Sequence, residues 1–278
     1  MEKILTISGK DVTFLIEPED VYHAKSKSGA VMSSHMLETF KNSPFAYQQT
    51  TLGKAPYVDS KAYAVGTAAH KMILEGGRAF SEAYNTTTGP INEKTGKPYA
   101  TTTKTYKEWL EDNSDGRIRL NQSDLSLCLS MSEGVKRNSN AVNILEEGEP
   151  ELVTRGLAYD VGTCQICTDW LSPKYGIVDL KTCKALRWFE SDAKKFGYIR
   201  QFAFYRRVLR DVTGIHGWPF YVIAVEKEFP FSCGVWKISE AAMDAADAQN
   251  EKTFAMYAKC AEGNEWPEGY EMMRVFDA

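Results

Sequence analysis

Two aspartates and a lysine carry the chemistry that this sequence suggests most directly. From Asp169 to Thr182 the chain reads DWLSPKYGIVDLKT, two apolar strand-like runs joined by Ser172-Pro173-Lys174-Tyr175-Gly176. That pattern predicts a β-hairpin that brings Asp169 and Asp179 into proximity. One residue separates Asp179 from Lys181, so on a strand their side chains share a face. Hard divalent cations take oxygen ligands, and magnesium is commonly held by one or two carboxylates while phosphate and water complete its shell. A cation here would polarise a phosphodiester and lower the pKa of a water. A nearby lysine could orient that water or stabilise the developing charge. The chemistry would be phosphodiester hydrolysis, with Asp169, Asp179 and Lys181 as the catalytic residues. The competing reading makes the aspartates turn-flanking surface residues and Lys181 their salt-bridge partner. A D-x-K triplet is short and common, and taken alone it favours that second reading.

Other elements must surround this hairpin. Gly66-Thr67-Ala68-Ala69-His70 lies on a helix expected from Ala62 to Glu75, ending at Gly76-Gly77. His70 should face inward there, although a lone helix histidine is more often a core residue than a ligand. Gln201 and Tyr205 fall one turn apart on a helix expected over 193–211, whose Ile199, Phe202, Tyr205 and Leu209 form a core-facing stripe. Strands are expected at Glu151–Val153, Val161–Trp170, Tyr175–Leu180 and Phe220–Val225. Ser33 and Ser34 open a helix that Pro44 stops, Ser123 opens another through Lys136, and Ser239 caps a last one to about Lys259. Residues 4–7 and 12–16 flank Ser8-Gly9-Lys10 as an opening hairpin. The Thr-, Gly- and Pro-rich stretch from Asn85 to Lys104 reads as a long exposed loop.

Composition sets bounds. The chain has 278 residues, 43% of them hydrophobic, enough for a substantial core in a mixed α and β protein. A net charge of −4 gives no global signature of a nucleic-acid binder. Basic residues nevertheless gather between Lys181 and Arg210, at Lys184, Arg187, Lys194, Lys195, Arg200, Arg206 and Arg207, against only Glu190 and Asp192. By itself such a run reads as a solvated helix face. The N-terminus shows no signal-peptide pattern and no stretch is apolar enough to span a bilayer, so a cytoplasmic protein without membrane contact is expected. The six cysteines then read as reduced thiols. Cys164 and Cys167 form a C-x-x-C with no second ligand pair to complete a zinc or iron–sulfur site.

Taken in order, Gly66-x-x-x-His70, Asp169, Asp179-x-Lys181 and Gln201-x-x-x-Tyr205 resemble the RecB-type PD-(D/E)XK nucleases, and most closely the nuclease domain of the RecE exonucleases. The likeness extends from Ser33-Ser34 and Ser43-Pro44 through Gly96-Lys97 to the hairpin and basic helix. It implies an α/β fold with a central mixed β-sheet flanked by helices, like that of restriction endonucleases. The nuclease domain would occupy residues 31–278, behind an N-terminal hairpin arm at 1–30. It also implies His70, Asp169 and Asp179 as ligands of Mg2+, or alternatively Mn2+, Lys181 as the catalytic lysine, and Gln201 and Tyr205 as DNA-positioning residues. The implied activity is 5′-to-3′ digestion of linear double-stranded DNA by a homo-oligomer, with a single-strand annealing protein as a candidate partner. Cys167-Thr168 stand where the family commonly has a basic residue and proline. Glu151 is a candidate further carboxylate or a surface-strand residue. An endonuclease or single-strand nuclease on the same scaffold, and a non-catalytic DNA-binding or assembly protein, are the alternatives.

Overall fold

The computed structural model describes residues 1–56 and 61–275; the last three residues of the expected nuclease domain lie outside them. Seven strands form one sheet: β1 (Glu2–Ile7), β2 (Lys10–Leu15), β3 (Glu149–Ala158), β4 (Gly162–Ser172), β5 (Gly176–Cys183), β6 (Phe220–Glu226) and β7 (Cys233–Lys237). Their order across the sheet is their order along the chain. Every pairing is antiparallel except β5 with β6, which is parallel. A parallel step needs a crossover, and here it is made by two helices, α9 (Phe189–Lys195) and α10 (Tyr198–Thr213). The expected single helix over this region is broken at Gly197, whose φ of 72° is one that glycine adopts without strain. The expected central mixed sheet flanked by helices is what the structure contains.

The remaining helices are α1 (Glu19–Lys27), α2 (Ser34–Asn42), α3 (Pro44–Thr51), α4 (Lys61–His70), α5 (Gly76–Ala83), α6 (Lys104–Asp112), α7 (Gln122–Lys136), α8 (Ser139–Leu145) and α11 (Glu240–Gly263). Local chemistry sets several starts. Ser33 accepts from the Met36 N–H, Ser43 from Ala46 with Pro44 at the first helical position, and Ser239 from Ala242. Helix α7 is capped by Asn121 rather than by Ser123. The two faces of the sheet bury separate cores. One gathers Phe40, Phe202, Phe204, Leu209 and Phe220 beneath α2, α10 and α11; the other gathers Ala68, Ala69, Met131, Ile144, Leu180 and Val225 beneath α4, α7 and α8.

The first helix is held by a buried polar clasp. Gln165 on β4 is fully buried; its Oε1 accepts from Arg155 Nε at 2.9 Å and Nη2 at 2.7 Å. Its Nε2 donates to the Tyr22 carbonyl at 2.8 Å and to Ser26 Oγ at 2.6 Å, both on α1. Arg155 also bonds Glu17, which accepts from Lys25 at 2.7 Å. All six cysteines are free thiols. Among the described residues no helix is long and apolar enough to cross a membrane.

Candidate active site

The site forms where the sheet forks. Strand β4 pairs with β5 only from Trp170 to Ser172 against Gly176 to Val178. The next step in that register sets Asp169 opposite Asp179, and there the ladder ends. Strand β5 continues along β6 as far as Cys183, while the freed edge of β4 is taken by Met32, whose N–H donates to Thr163 O and whose carbonyl accepts from the Gln165 N–H. Asp169 reaches across the fork and accepts from the Leu180 N–H at 2.8 Å. The hairpin reading thus holds for the backbone, and the two aspartates meet because the strands part just beyond them.

Four of the six residues singled out from the sequence converge here. His70 Nδ1 lies 3.5 Å from Asp169 Oδ2, brought from the other core by α4. Asp179 is only 2% exposed, and Lys181 Nζ sits 2.7 Å from its Oδ1 and 2.6 Å from its Oδ2. Lys181 also lies 5.2 Å from the centre of the Tyr198 ring and 5.8 Å from that of Phe202. Gln201 and Tyr205 meet each other, Nε2 to Oη at 3.4 Å. Tyr205 is buried in the core beneath the carboxylates, so it reaches the site's surface only through Gln201. Gly66 is not demanded by close packing: an added Cβ would find Thr182 Oγ1 at 3.9 Å, ordinary contact.

Burial governs the electrostatics. It pushes the Asp179 carboxyl up to about 6, Lys181 pulling it down and Asp169 adding to the rise. Asp169 is raised chiefly by burial as well, against Lys181 and the Leu180 N–H. Burial, reinforced by the Lys181 charge, lowers His70 to about 4, so its imidazole is neutral at physiological pH. Burial opposes the Lys181 charge too, but Asp179 and Asp169 outweigh it and hold the pKa above the ordinary lysine value.

Further groups ring the fork: Glu151, the candidate further carboxylate, and two that did not stand out in the sequence, Glu19 and His35. Continuing the β3–β4 register through Pro150–Trp170 and Leu152–Thr168 sets Glu151 opposite Asp169, and Glu151 takes a left-handed φ of 53°. Its carboxylate accepts from the Cys167 thiol at 3.3 Å and is pushed up to about 8 by its enclosure and by the Asp169 charge. Glu19 of α1 pairs with His23 at 3.4 Å, and its charge is felt at His70 and Glu151. His35 of α2 is lowered by burial and by Lys181. Only an acid or histidine on an unremarkable helix marks Glu19 and His35 in the sequence, and nothing there tells which helix abuts the fork.

The basic run divides in two. Arg206 bonds Glu240 and Asp244 at 2.6 Å each, Arg207 bonds Asp211 at 2.8 Å and Glu251 at 2.7 Å, Arg210 bonds Asp211 at 3.0 Å, and Arg200 bonds Glu38. The reading as one solvated face is therefore corrected for these arginines: acids hold them, Asp211 close by in sequence and the others far away. Lys184, Arg187, Lys194 and Lys195 remain exposed, and among the described residues they form no ion pair.

The donor set suits a hard divalent cation. It has two carboxylates and a neutral imidazole, and the buried Asp179 Oδ2 makes no hydrogen bond despite the nearby ammonium. The described residues do not form a ready-made three-ligand cluster, because Lys181 clasps Asp179 and Leu180 holds Asp169. His70, Asp169 and Asp179 are the residues that would hold the ion.

A mixed sheet that forks at facing aspartates, with a D-x-K strand and helices on both faces, is the arrangement of the PD-(D/E)XK nuclease superfamily. Within it the chain belongs to the family described as a PDDEXK-like domain of unknown function (DUF3799), whose model matches residues 33–277. The fold is similar to the crystal structure of a protein from Eubacterium rectale provisionally designated an exonuclease. The TM-score is 0.66, the match covers 95% of this chain and 96% of that one, and the two are 14% identical, a likeness of fold. No curated protein matches the sequence.

Proposed function

We propose that this chain is a Mg2+-dependent deoxyribonuclease, with Mn2+ as a substitute, that degrades linear double-stranded DNA from 5′ ends. The activity would serve recombination of the phage type, in a homo-oligomer working beside a single-strand annealing protein. The observation that carries the reading is the meeting of Asp169, Asp179, Lys181 and His70 at the sheet fork. The exonuclease designation of the Eubacterium rectale protein and the RecE-type order of motifs support the finer statement.

A bound cation would supply a lowered water pKa and a polarised phosphoryl oxygen. Asp169 and Asp179 would supply the negative charge to hold it, a charge that burial disfavours while no cation is bound. His70 offers a neutral nitrogen. Lys181 stays protonated beside two carboxylates and can donate to the attacking water or to a developing oxyanion, while Tyr198 and Phe202 shield it from bulk solvent. Gln201, braced by Tyr205, would help to position the strand.

The test is incubation of the purified protein with linear and covalently closed circular duplex DNA, labelled at either the 5′ or the 3′ end, with magnesium, manganese or EDTA. Metal-dependent loss of linear DNA, starting at 5′ labels and sparing circles, is the expected result. Nicking or linearisation of circles would replace the exonuclease with an endonuclease. No cleavage under any condition would leave a binding protein on a nuclease fold.

A further inference from the structure

Trp188 and Phe196 stand at opposite ends of α9, 59% and 55% exposed. Each has a cation beside it: the Arg187 guanidinium lies 5.8 Å from the Trp188 ring and Lys195 Nζ 5.6 Å from the Phe196 ring. Lys184 and Lys194 add two more exposed charges to the same segment. Two acids lie in the same segment: Glu190, which accepts from Trp236 Nε1 at 3.1 Å, and Asp192, so its four cations outnumber its acids.

The mount beneath these side chains is rigid. Phe189 is buried against Trp236 with ring centres 4.7 Å apart, the Leu186 N–H donates to Glu226 at 2.8 Å, and Ser191 Oγ donates to the Trp188 carbonyl at 2.8 Å. The segment also continues into the active site. The Phe196 ring is 5.9 Å from Tyr198, which in turn lies 5.2 Å from Lys181 Nζ.

We propose that the segment from Lys184 to Phe196 is a platform for single-stranded nucleic acid, with Trp188 and Phe196 stacking on unpaired bases and the four free cations tracking the phosphates. Exposed rings interleaved with unpaired cations are what an extended single strand requires, because every base has a stackable face and every linkage a charge. A duplex keeps its base faces stacked within itself and would engage only the cations. The proposal rests on the nuclease reading for its biological sense, since an enzyme that removes one strand of a duplex leaves the other unpaired beside its site.

The platform can be tested apart from cleavage. Binding of a dye-labelled oligothymidylate is measured by fluorescence anisotropy in EDTA over a range of salt concentrations, for the wild type, Trp188→Ala, Phe196→Ala, their combination and Lys194→Gln/Lys195→Gln. Melting curves confirm folding, and sedimentation records the oligomeric state. Each ring removal should weaken binding about fivefold or more, and the lysine pair should flatten the salt dependence by about one logarithmic unit per decade. Unchanged affinity in the folded double-ring variant would overturn the platform. So would unchanged affinity with a smaller sedimenting species, which would make the patch a contact between copies of this chain. Ring-dependent binding by a protein that cuts nothing would keep the platform and overturn the nuclease reading; cutting with ring-independent binding would do the reverse.

Discussion

Two clusters of acids and cations lie on opposite sides of α10, and their charges are settled in opposite ways. Behind the helix, Arg207 is shared among Asp211, Asp247 and Glu251 and lies 4.6 Å from the centre of the Tyr159 ring. Burial works against the Asp211 charge, but bonds from Arg207, the Tyr159 N–H and Arg210 outweigh it and hold its carboxyl below the ordinary value. In front, Asp169 and Asp179 share one lysine between them, and burial wins: both carboxyls are raised. Charges that serve the fold are given partners enough to be comfortable as ions. On the proposed reading the front charges are left short of partners, and that shortage is the free energy a cation would use.

The contrast is most easily broken in front. Asp179→Ala should reduce cleavage to background, and Lys181→Ala should lower turnover roughly 100- to 1000-fold while DNA binding persists. Both variants should keep their circular dichroism and lose little melting temperature. Collapse of the fold in either would place that residue with the structural cluster. Behind, the reverse is expected. Arg207→Ala leaves three partly exposed acids without their shared cation and should cost about 1 kcal/mol, a fall in melting temperature of roughly 3 °C, with the specific activity of the folded fraction unchanged. A large loss of turnover at normal stability would mean that the two clusters are coupled through α10.

A metal titration sharpens the comparison by pH. The folded pKa of Asp179, about 6, lies above its reference of 3.8. The metal-free protein therefore binds this proton more tightly than the unfolded chain does, and the associated stability is lost as pH rises through about 6. His70 has the opposite sign: its folded value of about 4 lies below the reference of 6.5, so its contribution is lost as pH falls through that window. A cation must compete with the Asp179 proton. Saturating Mg2+ or Mn2+ should raise the melting temperature by about 5 °C at pH 8 and hardly at all at pH 5. An equal shift at both pH values would remove Asp179 from the ligand set. The smallest effect is expected for His70→Ala, a rise of about tenfold in the metal concentration that supports half-maximal cleavage, whereas a purely structural histidine would lower melting temperature and leave that titration alone.

The D-x-K strand was legible because period-two spacing and a Pro-Gly turn are local signals. The Ser33, Ser43 and Ser239 starts were legible for the same reason. Gly76-Gly77 marks a true end: the helical run closes through a π-helical turn at Lys71–Glu75 on Gly76, with φ 84°, and what the sequence hid is that α5 starts at once on the far side. The break at Gly197 was hidden by a continuous apolar stripe on either side of it. Strand β7 was hidden by its brevity. The site's surroundings were the least legible part. Apart from Asp211, one turn from Arg207, the acids that hold Arg200, Arg206 and Arg207 lie at Glu38 on α2 and beyond residue 239 on α11, and sequence spacing carries no record of such long-range pairing.

The clasp around Gln165 bears on how the chain can be trimmed. The family match begins at residue 33, and an obvious shortened protein would begin there too. Such a cut would remove the Tyr22 carbonyl and Ser26 hydroxyl that take both amide hydrogens of Gln165, and the Glu17 carboxylate that takes Arg155. Each buried donor left without an acceptor costs about 1–3 kcal/mol, against a total of some 5–15 kcal/mol for a typical fold. The shortened protein should therefore be poorly soluble or fragile.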